Sequence, residues 1–155
     1  MKLNKTYTPG LYTAKGSVFD YKSVGADGIV AFVKKGFNNF STEFMAVEKE
    51  LEKVPFPVMV FGYYPEQPYR YKLENHASKE AALQYIREMI PSVLDRMVAI
   101  GSRKILFHGI RILGIEDSET EAVSCEALRQ WASQNQGRFD QLILASPDDC
   151  FSKHF

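Results

Sequence analysis

Arg111 is the residue whose chemistry can be specified most directly from its neighbours. It stands in the run Phe107-His108-Gly109-Ile110-Arg111-Ile112-Leu113-Gly114, immediately after an apolar stretch. A guanidinium presents a planar fork of donors that matches a phosphate or carboxylate. Glu116 and Asp117 follow closely, so the same cation has an ion pair within reach as its other fate. His108, at the end of the apolar stretch, reads either as a hydrogen-bonded structural residue or as part of the same site.

Three further segments carry residue types with binding capacity. In Lys34-Lys35-Gly36-Phe37-Asn38-Asn39, the amides of Asn38 and Asn39 can bond sugar hydroxyls while Lys34 or Lys35 meets a phosphate. Asparagine is also a favoured helix N-cap, so the other reading of the pair is that it opens the next helix. Residues 62–72 hold Tyr63, Tyr64, Tyr69 and Tyr71 with Arg70 and Lys72, a composition that stacks bases, anchors proteins or forms a rigid proline-bounded loop. Asp148 and Asp149 precede Phe151 near the carboxyl end. Adjacent carboxylates usually point apart and cap a turn, and Phe151 packs either on a ligand or on its own core. His76, His108 and His154 share no ligand spacing with one another or with Cys125 and Cys150, so no metal site is expected. No Walker loop, nucleophile elbow or dinucleotide fingerprint is present, and no cofactor is expected.

These segments need elements to position them. Ile29-Val30-Ala31-Phe32-Val33, Val58-Met59-Val60-Phe61, Ile105-Leu106-Phe107 and Leu142-Ile143-Leu144-Ala145 are continuous apolar runs. Strands buried on both faces read that way, as in parallel sheets. Between them, Phe44, Val47, Leu51 and Val54 predict a helix over about 41–53. Leu83, Ile86, Ile90, Val93, Met97 and Ile100 predict a longer one, kinked or divided at Pro91. Ser118-x-x-Glu121 reads as a capping box, with Val123, Ala127 and Trp131 as the buried side and Gly137 as the stop. Strands alternating with helices in this way predict an α/β domain with a mixed, mainly parallel sheet and helices on both faces. The first 24 residues, with Pro9-Gly10 as a turn, are expected to add one or two strands at an edge.

Composition narrows the function classes. The 155 residues form a single expected domain, 1–155, with nothing that reads as a linker or repeat. Nineteen basic residues balance nineteen acidic ones, which argues against a nucleic-acid binder that works through phosphates. No apolar run is long enough to cross a bilayer, and the polar start Met1-Lys2-Leu3-Asn4-Lys5 lacks a signal-peptide core. Two cysteines make no disulfide framework, so the expected compartment is the cytoplasm.

The stretch Lys104 to Ile115 followed by Glu121-Ala122-Val123 resembles the strand, phosphate loop and helix of macro domains. Ala81 to Gly101 fills the place of the long helix that precedes that strand, and Phe139 to Phe151 resembles the final strand with its acidic and aromatic end. Lys15-Gly16-Ser17-Val18 and Asp27-Gly28-Ile29-Val30 look like the opening two strands. The resemblance implies a three-layer α/β/α macro-like domain that binds a nucleotide or ADP-ribose-like ligand at the strand ends. It would place Lys34, Asn38, Asn39, Tyr63, Arg111, Gly114 and Phe151 around that ligand. The family's ligand residues are largely replaced: Ser17 stands where an aspartate holds adenine, and Ala31 and Lys34 where asparagines position ribose. Arg111-Ile112-Leu113-Gly114 stands in place of a Ser-Thr-Gly-like loop. The alternative is therefore a degenerate macro-like module that contacts a protein partner through the Tyr63 to Tyr71 loop. ADP-ribosyl hydrolysis is the reading these residues support least.

Overall fold

The computed structural model describes residues 25–32, 56, 58–61, 70–108, 110–145 and 153–155. The strands expected in the first 24 residues and the helix expected over 41–53 lie outside them. Five strands form one sheet: β1 (Gly28–Phe32), β2 (Val58–Phe61), β3 (Lys104–His108), β4 (Gln141–Ala145) and β5 (Lys153–His154). Their order is β2-β1-β3-β4-β5. The first four are mutually parallel and β5 runs antiparallel to β4. The mixed, mainly parallel sheet is thus as the apolar runs predict. The antiparallel edge strand at 153–154 escaped that reading, because two residues carry no periodicity.

Register explains why those runs are apolar throughout. Met59, Val30, Phe107 and Leu144 stand side by side across four strands. One residue earlier, Ile29, Leu106 and Ile143 form a second row. Successive side chains in a strand point to opposite faces, so the two rows belong to the two sides of the sheet. All seven side chains are buried. Each large aliphatic or aromatic chain so buried contributes about 1.5–3 kcal/mol.

Two helices cover one of these faces. α1 (Lys79–Ala99) connects β2 to β3, and α2 (Asp117–Gln134) connects β3 to β4. Both crossovers move in the same direction across the sheet, so consistent handedness puts both helices on one side, and they pack against each other. α1 buries Leu83, Ile86, Ile90, Val93 and Met97, the spaced residues of its sequence pattern, together with Leu94. Ser78 caps it, its hydroxyl accepting from the Ala81 N–H at 3.1 Å. It does not divide at Pro91: one helix runs through the proline. The apolar stripe continues on both sides of that position, and its burial outweighs the single missing N–H.

α2 also departs from expectation at its start. Glu116 is its N-cap and makes no side-chain cap bond, so Ser118 lies within the first turn and forms no capping box. Asp117 and Glu119 in that turn meet the positive end of the helix instead. Val123, Ala127 and Trp131 are buried as expected, and the Trp131 indole N–H donates to Asp95 of α1 at 3.0 Å. α2 ends at Gln134 with Asn135 as its C-cap, and Gly137 takes φ +88° in the turn beyond.

The end of the sheet away from the strand tips is tied by Arg103. Its guanidinium grips the Asp140 carboxylate through two bonds of 2.9 and 3.1 Å. Asp27 adds a carboxylate that accepts from the Arg103 and Lys104 backbone N–H groups at 2.9 and 2.8 Å. These contacts align the entries of β1, β3 and β4. The Arg103 hydrogen bond holds the Asp140 carboxyl below the usual carboxylate range. A depressed value means that the pair's contribution is fully present above the ordinary aspartate value, near pH 4, and is lost as pH falls from there through the lower value of the folded state. Asp140→Asn is therefore expected to lower the thermal midpoint at neutral pH, with the gap to the parent chain closing in acid. A gap independent of pH would refute the assignment.

Candidate functional site

The order β2-β1-β3-β4 reverses direction at β1: the chain leaves β1 toward β2, then returns past it to β3. In open α/β sheets the crevice for ligands lies outside the carboxyl ends of the strands at such a reversal. The segment that emerges from β3 at that point contains Arg111 and Gly114.

That segment has alternating character. Ile110 and Ile112 are each 1% exposed, whereas Leu113 is 49% exposed, the one large hydrophobic so exposed among the described residues. Backbone pairing fixes it in place. The Leu113 N–H donates to the Tyr71 carbonyl at 2.9 Å, and the Leu73 N–H donates to the Leu113 carbonyl at 2.8 Å. Tyr71 anchors the partner strand, because it is buried in the core with its hydroxyl donating to the Met89 sulfur at 3.2 Å and its ring edge-on to Tyr85. This corrects the reading of Tyr71 as a contact or surface-loop residue, while residues 62–69 lie outside the described residues. Tyr71 at least is a core residue, since a tyrosine with a partner for its hydroxyl buries well. Tyr63 lies outside the described residues.

Gly114 follows with φ +99°, a conformation that side-chain-bearing residues rarely adopt. A Cβ there would also sit 3.0 Å from the Leu73 Cβ. Glycine is thus required by the turn and by the close approach of the 71–73 segment.

The Arg111 side chain is only 12% exposed. Its Nε lies 3.6 Å from an Asp117 carboxylate oxygen, so the ion pair open in the sequence forms in a long geometry, with Asp117 and not Glu116. Asp117 is 60% exposed, and a pair of that kind is worth little. The Arg111 Nη1 is buried and has no hydrogen-bond partner among the described residues. Leaving a buried charged donor unmatched costs about 1–3 kcal/mol or more. A hollow of about 180 Å³ beside it is lined by Tyr71, Arg111, Ile112, Leu113, Gly114, Ile115 and Asp117. Arg111 is thus a mostly buried cation among the residues that line a small cleft, with one donor unmatched, and a guanidinium suits an oxyanion.

Of the residues expected around a ligand, Arg111 and Gly114 come together here. Lys34, Asn38, Asn39, Tyr63 and Phe151 lie outside the described residues, as do Asp148 and Asp149. Tyr71, Leu73 and Leu113 were missed. The Ile110-Arg111-Ile112 alternation hints at an extended segment but does not name its pairing partner, so the sequence carried no signal for Tyr71 or Leu73. Among the described residues no group of three or more His, Cys, Asp or Glu is gathered as a metal site. No described helix is long and apolar enough to cross a membrane. Searches for similarity found no matching family model, curated protein or solved structure.

Two substitutions test this geometry. Arg111→Met keeps the volume and removes the unmatched donor, so the thermal midpoint is expected to rise by about 2–4 °C, roughly 1 kcal/mol. A fall of several degrees would make Arg111 a structural cation instead. Gly114→Ala forces a Cβ into the left-handed region and is expected to cost about 1–2 kcal/mol in denaturant titration; an unchanged midpoint would count against the tight turn.

Proposed function

We propose that the chain is a divergent macro-like domain that binds a nucleotide or ADP-ribose-like ligand at the carboxyl ends of β1 and β3. The observation that carries the reading is the buried Arg111 guanidinium with an unmatched Nη1 beside a cleft. A phosphoryl oxygen would complete its bonding, and arginine is suited to that geometry. The long helix directly before β3, the glycine-bearing turn after it and the helix and strand that follow support the macro-like assignment.

The proposed architecture has three layers. Its support is the burial of Ile29, Leu106 and Ile143 on the face opposite α1 and α2. The β1-to-β2 crossover moves across the sheet in the reverse direction, and constant handedness assigns it to that second face. Lys34, Asn38, Asn39, Tyr63 and Phe151 complete the proposed ligand set on the strength of the macro-like resemblance alone, since they lie outside the described residues. A cytoplasmic location is proposed from the two-cysteine composition. The rival reading, a protein contact through residues 63–71, is weakened because Tyr71 serves the core. The proposal is for binding, and no hydrolytic role is assigned to Arg111 or Asp117.

Calorimetric titration with ADP-ribose, AMP and NAD tests it. Saturable binding of at least one is expected, weakened at least tenfold by Arg111→Met and measurably by Asn39→Ala. Tenfold corresponds to about 1.4 kcal/mol, the low end for a charge-assisted bond. Flat traces with all three ligands would overturn the reading.

A further inference from the structure

The cleft at Arg111 does not end at Arg111. A second, open hollow of about 450 Å³ is lined by Lys72, Leu73, Glu74, Leu113 and Gly114. It shares Leu113 and Gly114 with the smaller hollow, so the two lie on either side of the same two residues. Their chemistry differs. The smaller one contains the guanidinium, whereas the larger has a floor of two leucines and a glycine with the Lys72–Glu74 ion pair, 2.9 Å, at its rim.

A lone exposed leucine is ordinary on a protein surface and by itself signals nothing. Leu113 differs in how it is held. Hydrogen bonds from both its N–H and its carbonyl fix its backbone against residues 71 and 73, and Gly114 next to it cannot accept a side chain without meeting Leu73. The result is a flat, pre-formed apolar shelf that stays open. Small-molecule sites combine such apolar walls with a few placed polar groups, over about 300–1,000 Å³. The shelf alone falls in that range.

We infer that the shelf formed by Leu73, Leu113 and Gly114 seats the heteroaromatic base of the ligand whose phosphate meets Arg111. This rests on the proposed nucleotide reading and deepens it by assigning the two halves of the ligand to the two hollows. A planar ring can cover both leucines at once because Gly114 leaves the surface level. The ring edge then faces the Lys72–Glu74 pair, which offers a donor and an acceptor to ring nitrogens and exocyclic groups. The small hollow takes the compact charged group, because it contains the guanidinium and its volume of about 180 Å³ is below the usual range for a site that must hold a whole nucleotide. Leu113 is thereby a specificity residue: it favours a phosphate that carries a base over the same phosphate without one.

Titration of the full chain with AMP and with ribose 5-phosphate, in the parent and in Leu113→Ala and Arg111→Met, separates the possibilities. The parent is expected to bind AMP about tenfold or more tightly than ribose 5-phosphate. Leu113→Ala is expected to remove most of that difference and leave ribose 5-phosphate unchanged, while Arg111→Met weakens both. Leu113 is half exposed, so its truncation leaves the core intact, and an unchanged thermal midpoint verifies this in the same samples. If Arg111→Met weakens AMP but Leu113→Ala does not, the base lies elsewhere and the shelf assignment falls while the nucleotide reading stands. If the parent binds neither compound, the shelf assignment falls, and the nucleotide reading falls with it only when ADP-ribose and NAD also give flat traces. Concentration-dependent sedimentation that Leu113→Ala abolishes would give the shelf to a second copy of the chain and overturn the inference.

Discussion

The structure depends on a parallel sheet whose central strands are buried on both faces. Water reaches neither the Met59-Val30-Phe107-Leu144 row nor the Ile29-Leu106-Ile143 row, so each backbone group between them must find its partner in a neighbouring strand. That requirement fixes register, because a slip by one residue would exchange the two rows and misalign every packed contact with α1 and α2. It also forces parallel neighbours to be joined by long crossovers, and the order of those crossovers creates the reversal at β1. The crevice is a consequence of the sheet's burial and not a separate invention.

What the sequence made legible follows the same logic. The four apolar runs at 29–33, 58–61, 105–107 and 142–145 gave the strands to within a residue where the two overlap, because double burial leaves no polar positions to blur them. The stripe from Leu83 to Met97 gave α1 for a similar reason. The errors fell where local signals compete with packing. Pro91 looked like a boundary but lies on a helix whose buried face continues past it. Ser118-x-x-Glu121 looked like a cap, yet the chain turns into α2 two residues earlier, at Glu116, and relies on Asp117 and Glu119 at the dipole. Tyr71 looked like part of an aromatic loop because composition cannot tell a ring that packs on Met89 and Tyr85 from one that waits for a ligand.

The candidate site was legible only in its charged member. Arg111 could be named because an arginine beside a strand end has few uses; the ion-pair reading is met by Asp117, and the unmatched Nη1 is the observation on which the anion reading is proposed. The residues that position it could not be named. Tyr71 to Leu73 are distant in sequence from Leu113, and their backbone pairing leaves no mark on either segment when each is read alone. A pairing between two short extended pieces is non-local information, which periodicity within one window does not carry.

One further regularity bears on where function sits. The buried polar side chains of the helices and sheet entries are matched: Thr120 donates to the Asp117 carbonyl, Ser124 to the Thr120 carbonyl and Ser102 to the Asp27 carbonyl. Local rules are broken together at one place. Within four consecutive residues the chain holds an unmatched buried guanidinium, an exposed leucine on a fixed backbone and a glycine at φ +99°. Each departure costs stability, and sequences that otherwise satisfy packing and hydrogen bonding tend to concentrate such costs at functional sites. Positive-φ glycines also occur at Gly25, Gly101 and Gly137, so the polar feature peculiar to residues 111–114 among the described residues is the unmatched guanidinium, and that donor is what the proposed ligand would satisfy.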